Sequence, residues 1–546
     1  MSLPSFDAQG SLFGSVSVVA RELFQKEDRY WLFAEKVWPV IAGTRDQLAQ
    51  CYCAENGRPG VEPVLLLGVV IFQFMERVPD RAAVEMVKYH LGWKLALNVE
   101  LQAKGFHATT LVGFRQRLID HDQAKIAFAA VLEALQAEGL VPKKGKQRLD
   151  STHVLGLVAR MSSLECIRET LRLALEELAE KLPAQERPDL WGVFWERYVE
   201  SRLDYKSNEA VLKDKHRQAG LDSIRLLRWL EPVSVDVREG KQIALLRRVF
   251  AEQFEVSASG EPEPLRIHGT GSVKNPHDPE AQWSAKSHLP DRKEWIGYKV
   301  QVAESIPTEP SPEGHPPGNF LVSLATQAAT ESDDAGLEAT LQQQYAFGLE
   351  RPSEMYVDTG YICAERLAAA EAEGRKLLGP ARPSPKNHRG FPAEDFDVQV
   401  EQRRAFCPAG RESSQCSRLT QAKTGRVDYR FEWSTHCKGC SLRRHCIGSG
   451  QRHRTLVVGE HHSLLQSRRR EQTTEQFRKL MHRRNGIEGT HSELIRGYGL
   501  RRARYRGRAK VDLQNQFIGA ACNVKRWLDV LAWKIENAQA ITSNVS

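Results

Sequence analysis

The chain has 546 residues, 41% of them hydrophobic and 27% charged, and carries a net charge of +8. That length allows two to four domains around a substantial core, and the composition is that of a soluble globular protein. The longest apolar run, Val64 to Phe72, is too short to span a bilayer and is followed by Gln73, Glu76 and Arg77, and ten cysteines in so long a chain do not make a disulfide scaffold. The first residues lack the basic start, apolar run and cleavage site of a secretory signal. A cytoplasmic protein is expected.

Residues 1–140 read as mostly helical. Glu62-Pro63 opens an apolar run, Pro79-Asp80-Arg81 restarts a helix bearing Val84, Val87 and Leu91, and Ala108-Thr109-Thr110 caps a third bearing Phe114 and Leu118 with basic Arg115 and Arg117. Short helices ending in a basic one allow a helix-turn-helix, although a plain bundle packed on the next domain fits the pattern equally. Between Lys143 and Gly156 the character changes to β-branched and apolar residues around one acid, a strand carrying Asp150. A helical insertion follows over 161–263, with Ser257 to Pro264 expected as a linker and Asn275 to Pro290 as an irregular loop.

Strand signals return at Ile296 to Val302 and at Phe320 to Leu324, a hairpin with a Pro-rich tip. A helix from Ser332 to Ala346, a short strand ending at Asp358, a helix from Glu365 to Glu373 and a strand at Lys376 to Leu378 complete the run. Strand, strand, strand, helix, strand, helix, strand is the element order of a mixed α/β sheet. If its first and fourth strands are neighbours, Asp150 and Asp358 meet.

The positive charge is local. Residues 466–510 hold 14 Lys or Arg against 4 Glu, a net of +10, so the remainder of the chain is slightly acidic. Arginines interleaved with Tyr498 and Tyr505 suit a polyanion surface, because each neutralised phosphate releases counterions and aromatic rings stack on bases. One acid, Glu488, stands inside this basic segment. On a helix Arg484, Glu488, His491 and Ile495 share a face, and Gly497 with Gly499 supplies the stop. Glu493 is a rival acid that points elsewhere.

Three separated acids, Asp150, Asp358 and Glu488, are what a two-metal phosphoryl-transfer site requires, since carboxylates must bridge ions that activate the attacking and leaving oxygens. Each taken alone reads as an ordinary turn or cap residue. Together with the basic segment they carry a resemblance. Leu149-Asp150-Ser151-Thr152-His153, Gly297-Tyr298-Lys299, Tyr356 to Tyr361, and the block from Asn485 to Gly507 resemble a DDE transposase of a bacterial insertion sequence, most similar to the eleven-eighty-two group of the insertion-sequence-four-like superfamily. Asp80-Arg81 and Thr109 to Arg115 resemble that family's InsH-type N-terminal domain.

The resemblance implies an RNase H-like mixed sheet, with Asp150, Asp358 and Glu488 holding Mg2+ or Mn2+. It implies cleavage at transposon ends and attack of the freed 3′-hydroxyl on target DNA by a homo-oligomer bound to double-stranded DNA, associated with the bacterial nucleoid. Arg484 matches the arginine of the family signature. Met481 stands where a tyrosine is usual and Ile495 where a lysine is usual, with Arg496 one place later as its substitute. Arg501, Arg502, Arg504 and Arg506, with Tyr298 and Lys299, are the further expected DNA contacts.

The implied organisation is a helical N-terminal domain over 1–140, a catalytic core over 141–160, 264–380 and 453–546, the helical insertion, and a cysteine-rich insertion over 381–452. In that last segment Cys437-Lys438-Gly439-Cys440, then Cys446, with Cys407 upstream, has spacing suited to structural tetrahedral zinc, and Cys416 is the alternative fourth ligand. Cys51, Cys53, Cys166, Cys363 and Cys522 read as ordinary reduced residues. Asp333 and Asp334 read as acids satisfying a helix dipole, and His277-Asp278 as a turn. A metal-dependent nuclease that cuts without joining, or a DNA-binding protein that performs no chemistry, are the alternative readings.

Overall fold

The computed structural model describes residues 3, 16, 22–53, 59–203, 208–265, 271–286, 293–307, 318–383, 390–422, 425–448 and 450–543. Its main sheet grows from β1 (Lys146–Leu155), which pairs antiparallel with β5 (Lys293–Ile306) on one edge and parallel with β7 (Glu354–Tyr356) on the other. β7 in turn pairs parallel with β8 (Lys376–Leu378). The far edge of β5 is shared by β4 (Gln282–Lys286) and β6 (Leu321–Ala328), both antiparallel. Two α helices, Asp333–Ala346 after β6 and Ala364–Ala372 after β7, supply the crossovers that parallel strands need. Gly297 allows the close approach of β5 to β1: it has φ +152, and a Cβ there would collide with the Val154 carbonyl.

The N-terminal helices are not a separate unit. Pro63–Glu76, Asp80–Tyr89, Thr109–Asp120 and Ile126–Ala137 share one continuous apolar core with the sheet and with the long helix Arg508–Ser543. Phe74, for example, stacks on Phe517 with ring centroids 6.0 Å apart. Of the two readings of these helices, the plain bundle packed on the next domain is the one that the placement of Arg115 favours. Arg115 is buried and bonded to Asp80 at 2.5 Å instead of reaching solvent, and Arg117 lies over the Tyr52 ring.

The helical insertion has its own core, built by Ser163–Lys181, Glu209–Trp229 and Lys241–Gln253 around Ile167, Leu171, Leu175 and Leu246. The expected linker from Ser257 to Pro264 is instead the turn and second strand of a hairpin, β2 (Phe254–Val256) with β3 (Pro262–Pro264). The expected loop from Asn275 to Pro290 contains β4, whose residues gain backbone partners on β5 that the local sequence does not reveal. Residues 287–290, and the Pro-rich tip over 308–317, lie outside the described residues.

The cysteine-rich segment holds a two-stranded pair, Asp397–Gln399 with Arg404–Phe406, and a three-stranded sheet of Gln415–Thr420, Val427–Glu432 and Thr455–Gly459. Phe396, Val398, Phe431 and Trp433 form a separate small core. Its last strand lies beyond the expected boundary at 452. No helix among the described residues is long and apolar enough to cross a membrane.

Candidate active site

Parallel register brings the first two acids together. Lys146 pairs with Glu354 and Arg148 with Tyr356, and the same register carried two residues past the last pair leads to Asp150 and Asp358, which line one cleft. Asp358 lies just past the end of β7, where its carboxylate accepts the Gly360 N–H at 2.7 Å and caps the turn Thr359–Tyr361.

The third acid arrives on the helix Glu475–Tyr498. Thr474 caps its start by accepting the Phe477 N–H, and Gly499, in the left-handed region at φ 77, ends it. Phe477, Ile487, His491, Leu494 and Tyr498 bury one stripe of this helix, which leaves Glu488 on the open side. Asp150, Asp358 and Glu488 then line a single cleft of about 740 Å³.

Charge in the cleft is crowded. Arg484, one helical turn before Glu488, donates to Asp150 at 2.7 Å. Burial pushes the Asp150 carboxyl up to about 6; Arg484 and the Ser151 N–H oppose this, and the Asp358 and Glu488 charges add to it. Lys299 and Arg496 also line the cleft, as does Arg501, whose guanidinium donates to the His153 carbonyl at 2.7 Å.

Several expected site residues are placed elsewhere. Tyr298 is fully buried and its hydroxyl donates to Asp278 at 2.6 Å, so its ring fills the core and offers no DNA contact. Arg504 lays its guanidinium over Phe74, 4.7 Å from the ring centroid, and so faces the N-terminal helices. Arg502 and Arg506 are exposed outside the cleft lining. Glu493 points away and pairs with Arg526 at 2.6 Å. His277 pairs with Glu169 at 2.8 Å.

Other residues gain a role that local sequence hid. Asp334 pairs with Arg366, but Asp333 turns into the cleft and accepts from Ser151 Oγ and Lys299 Nζ, each at 3.1 Å. Ser332 caps that helix, and both acids lie in its first turn, as expected of dipole acids. His491 also lines the cleft; burial pushes its imidazole down to about 4. His153 packs on Trp295 at 5.0 Å between ring centroids beside the same acids.

Cys407, Cys437, Cys440 and Cys446 line one small apolar pocket, from which Cys416 is absent. None of the ten cysteines is joined in a disulfide. Among the described residues no group of three or more His, Cys, Asp or Glu side chains is arranged to hold a metal ion. At the acidic cleft the cation facing Asp150 is Arg484.

Two family matches bear on this arrangement. Residues 406–528 match the family described as Transposase DDE domain, and residues 18–117 match the Transposase domain (DUF772). The first includes the helix of Glu488 and the cysteines; neither includes Asp150 or Asp358. No curated protein and no solved structure matches the chain.

Proposed function

We propose, from two matches that support a DDE transposase of an insertion element, that the chain cuts DNA at the ends of its own element and joins the freed 3′-hydroxyl to target DNA. The observation that carries this reading is the convergence of Asp150, Asp358 and Glu488 on one cleft rimmed by arginine and lysine. The strand order β6-β5-β1-β7-β8, with Asp150 midway along β1 and Asp358 just past the end of its neighbour β7, supports an RNase H-like core.

The donors suit Mg2+ or Mn2+ in type, being hard carboxylate oxygens; burial first, and then the Asp358 and Glu488 charges, keep Asp150 reluctant to ionise. A divalent pair bound there would activate the attacking oxygen and stabilise the leaving one. The chain's own groups do the rest. Arg496, Arg501 and Lys299 bind and orient the phosphate backbone in the cleft. Arg484 holds Asp150 in the metal-free state and, once released, becomes a further phosphate contact. The four thiols of the small pocket suit structural zinc in donor type. Because two element ends take part in one reaction, the active form is read as a homo-oligomer on double-stranded DNA.

The DNA flanking the reading frame supplies the substrate. Duplexes containing those ends should be cut with Mg2+ and, in the presence of a target duplex, joined to it. Asp150→Asn should abolish cutting while leaving DNA affinity within about twofold. Cutting that survives this change rejects the triad, and cutting without joined product leaves a nuclease.

A further inference from the structure

Glu304 lies on β5 and is fully buried. An interior carboxylate persists only when it is paired and hydrogen-bonded, and Glu304 is held from several directions. Arg148, its cross-strand partner on β1, forms an ion pair with it. Arg526, on the long C-terminal helix, reaches Oε2 at 3.2 Å, and Asn319 donates to the same oxygen at 2.5 Å. The Thr490 hydroxyl, on the helix of Glu488, donates to it at 2.7 Å.

The partners extend the knot. Arg148 also donates to the Arg483 carbonyl at 3.0 Å, and Arg526 also pairs with Glu493 at 2.6 Å. Gly486 makes room for this, since a Cβ there would collide with the Arg148 guanidinium. Arg148 stands two residues before Asp150, and Thr490 two residues after Glu488. One buried carboxylate therefore ties the strand of the first acid to the helix of the third.

Stability alone does not explain such a knot, because a well-packed apolar cluster of similar volume is often as stable as buried ions. Directional bonds differ from apolar contacts in permitting one register only. We propose that Glu304 is a positioning residue that sets the separation of Asp150 and Glu488 without touching DNA. The proposal rests on the reading above, in which those two acids share the divalent ions.

The test uses the full chain with genetically encoded nitroxide side chains at the exposed positions Lys144, beside the start of β1, and Lys479, on the Glu488 helix. Their distance distribution, measured without DNA or metal, should be narrow in the parent and broadened or shifted in Glu304→Gln and in Thr490→Val. The second variant keeps every buried charge, so it decides the matter if the first does not fold. Cleavage of end duplexes is then compared in the two metals. Mg2+ demands near-ideal octahedral geometry, so Mg2+-supported cutting by Glu304→Gln should fall about 100-fold and Mn2+-supported cutting less than 10-fold. A purely structural role would lower both in proportion to the folded fraction and leave their ratio unchanged. Parent-like distances in both folded variants overturn the proposal. Absence of cutting by the parent instead rejects the enzyme reading, and the distance measurement still judges the positioning role.

Discussion

Arg484 donates to Asp150 at 2.7 Å from the same helix that presents Glu488. The first acid is thus neutralised by a residue one turn away from the third. Even so, Asp150 is pushed up to about 6, first by burial and then by Asp358 and Glu488. A carboxyl raised in the fold costs stability as pH rises from the unfolded value near 4 through 6, and that cost is complete above 6.

Replacing Asp150 by Asn removes the charge that the fold disfavours. Metal-free Asp150→Asn should therefore be more stable than the parent at pH 7.5, by up to about 3 kcal/mol for a shift of roughly two units. The gap should close as pH falls toward 4. Denaturant unfolding at several pH values checks this, and a variant less stable than the parent at pH 7.5 would show that the Arg484 pair outweighs burial.

Two glycines of the Glu488 helix should respond oppositely to the same change. A helical Gly→Ala ordinarily stabilises by about 0.5–1 kcal/mol, and Gly489, with nothing within 4 Å of an added Cβ, should behave so. At Gly486 the added methyl meets Arg148. Gly486→Ala should lose stability and end cleavage together, measured by thermal melting and by the duplex assay.

Arg115 separates a structural from a DNA-binding reading of the N-terminal helices. It is buried, bonded to Asp80 at 2.5 Å, and 5.5 Å from the Tyr505 ring. Asp80→Ala leaves that guanidinium buried without its carboxylate and should destabilise by about 3 kcal/mol. Affinity of the folded fraction for end DNA should not change; a large loss measured by fluorescence anisotropy would restore the helix-turn-helix reading.

Zinc at the small thiol pocket predicts an unequal response of two cysteines. Cys407 lines the pocket with Cys437, Cys440 and Cys446, and Cys416 does not. Protein prepared with zinc should retain one ion per chain by elemental analysis. Cys407→Ser should lose it and Cys416→Ser should keep it; retention by both variants would exclude the four-thiol set.

Acid should loosen the fold at His462, which burial pushes down to about 4, with Arg469 adding to the shift. A histidine held neutral contributes stability that is complete above its ordinary value near 6.5 and is lost as pH falls to 4, up to about 3 kcal/mol. In its helix Gln466 donates to the carbonyls of Ala393 and Phe396, next to the cysteine-rich strands. His462→Gln should flatten the decline in unfolding midpoint between pH 7 and pH 4.5. A parent and variant that decline in parallel would remove His462 as a cause.

The three acids were legible in combination. Asp150 among apolar residues, Asp358 before a glycine turn and Glu488 in a basic helix each read alone as an ordinary turn or cap residue, and the basic segment with the resemblance singled them out. Asp333 was read as a dipole acid because its helix start is all that its neighbours in sequence reveal; only the fold shows it facing Ser151 and Lys299. Tyr298 looked like a DNA contact by residue type, and Arg115 like part of a basic helix. Their buried partners, Asp278 and Asp80, stand 20 and 35 residues away along the chain.

Hydrophobic period, turn residues and charge spacing act over one or two turns of chain, and so the basic segment, the three candidate acids and most of the sheet's strands were readable along the chain, whereas β4 and the β2–β3 hairpin, which depend on their pairing partners, were not. Which strand lies beside β1, which arginine meets Asp150, and that a buried Glu304 joins the two ends of the site were decided only in three dimensions. Those contacts join residues more than one hundred positions apart, and nothing in the spacing along the chain encodes which of many possible partners a side chain meets once the core has closed.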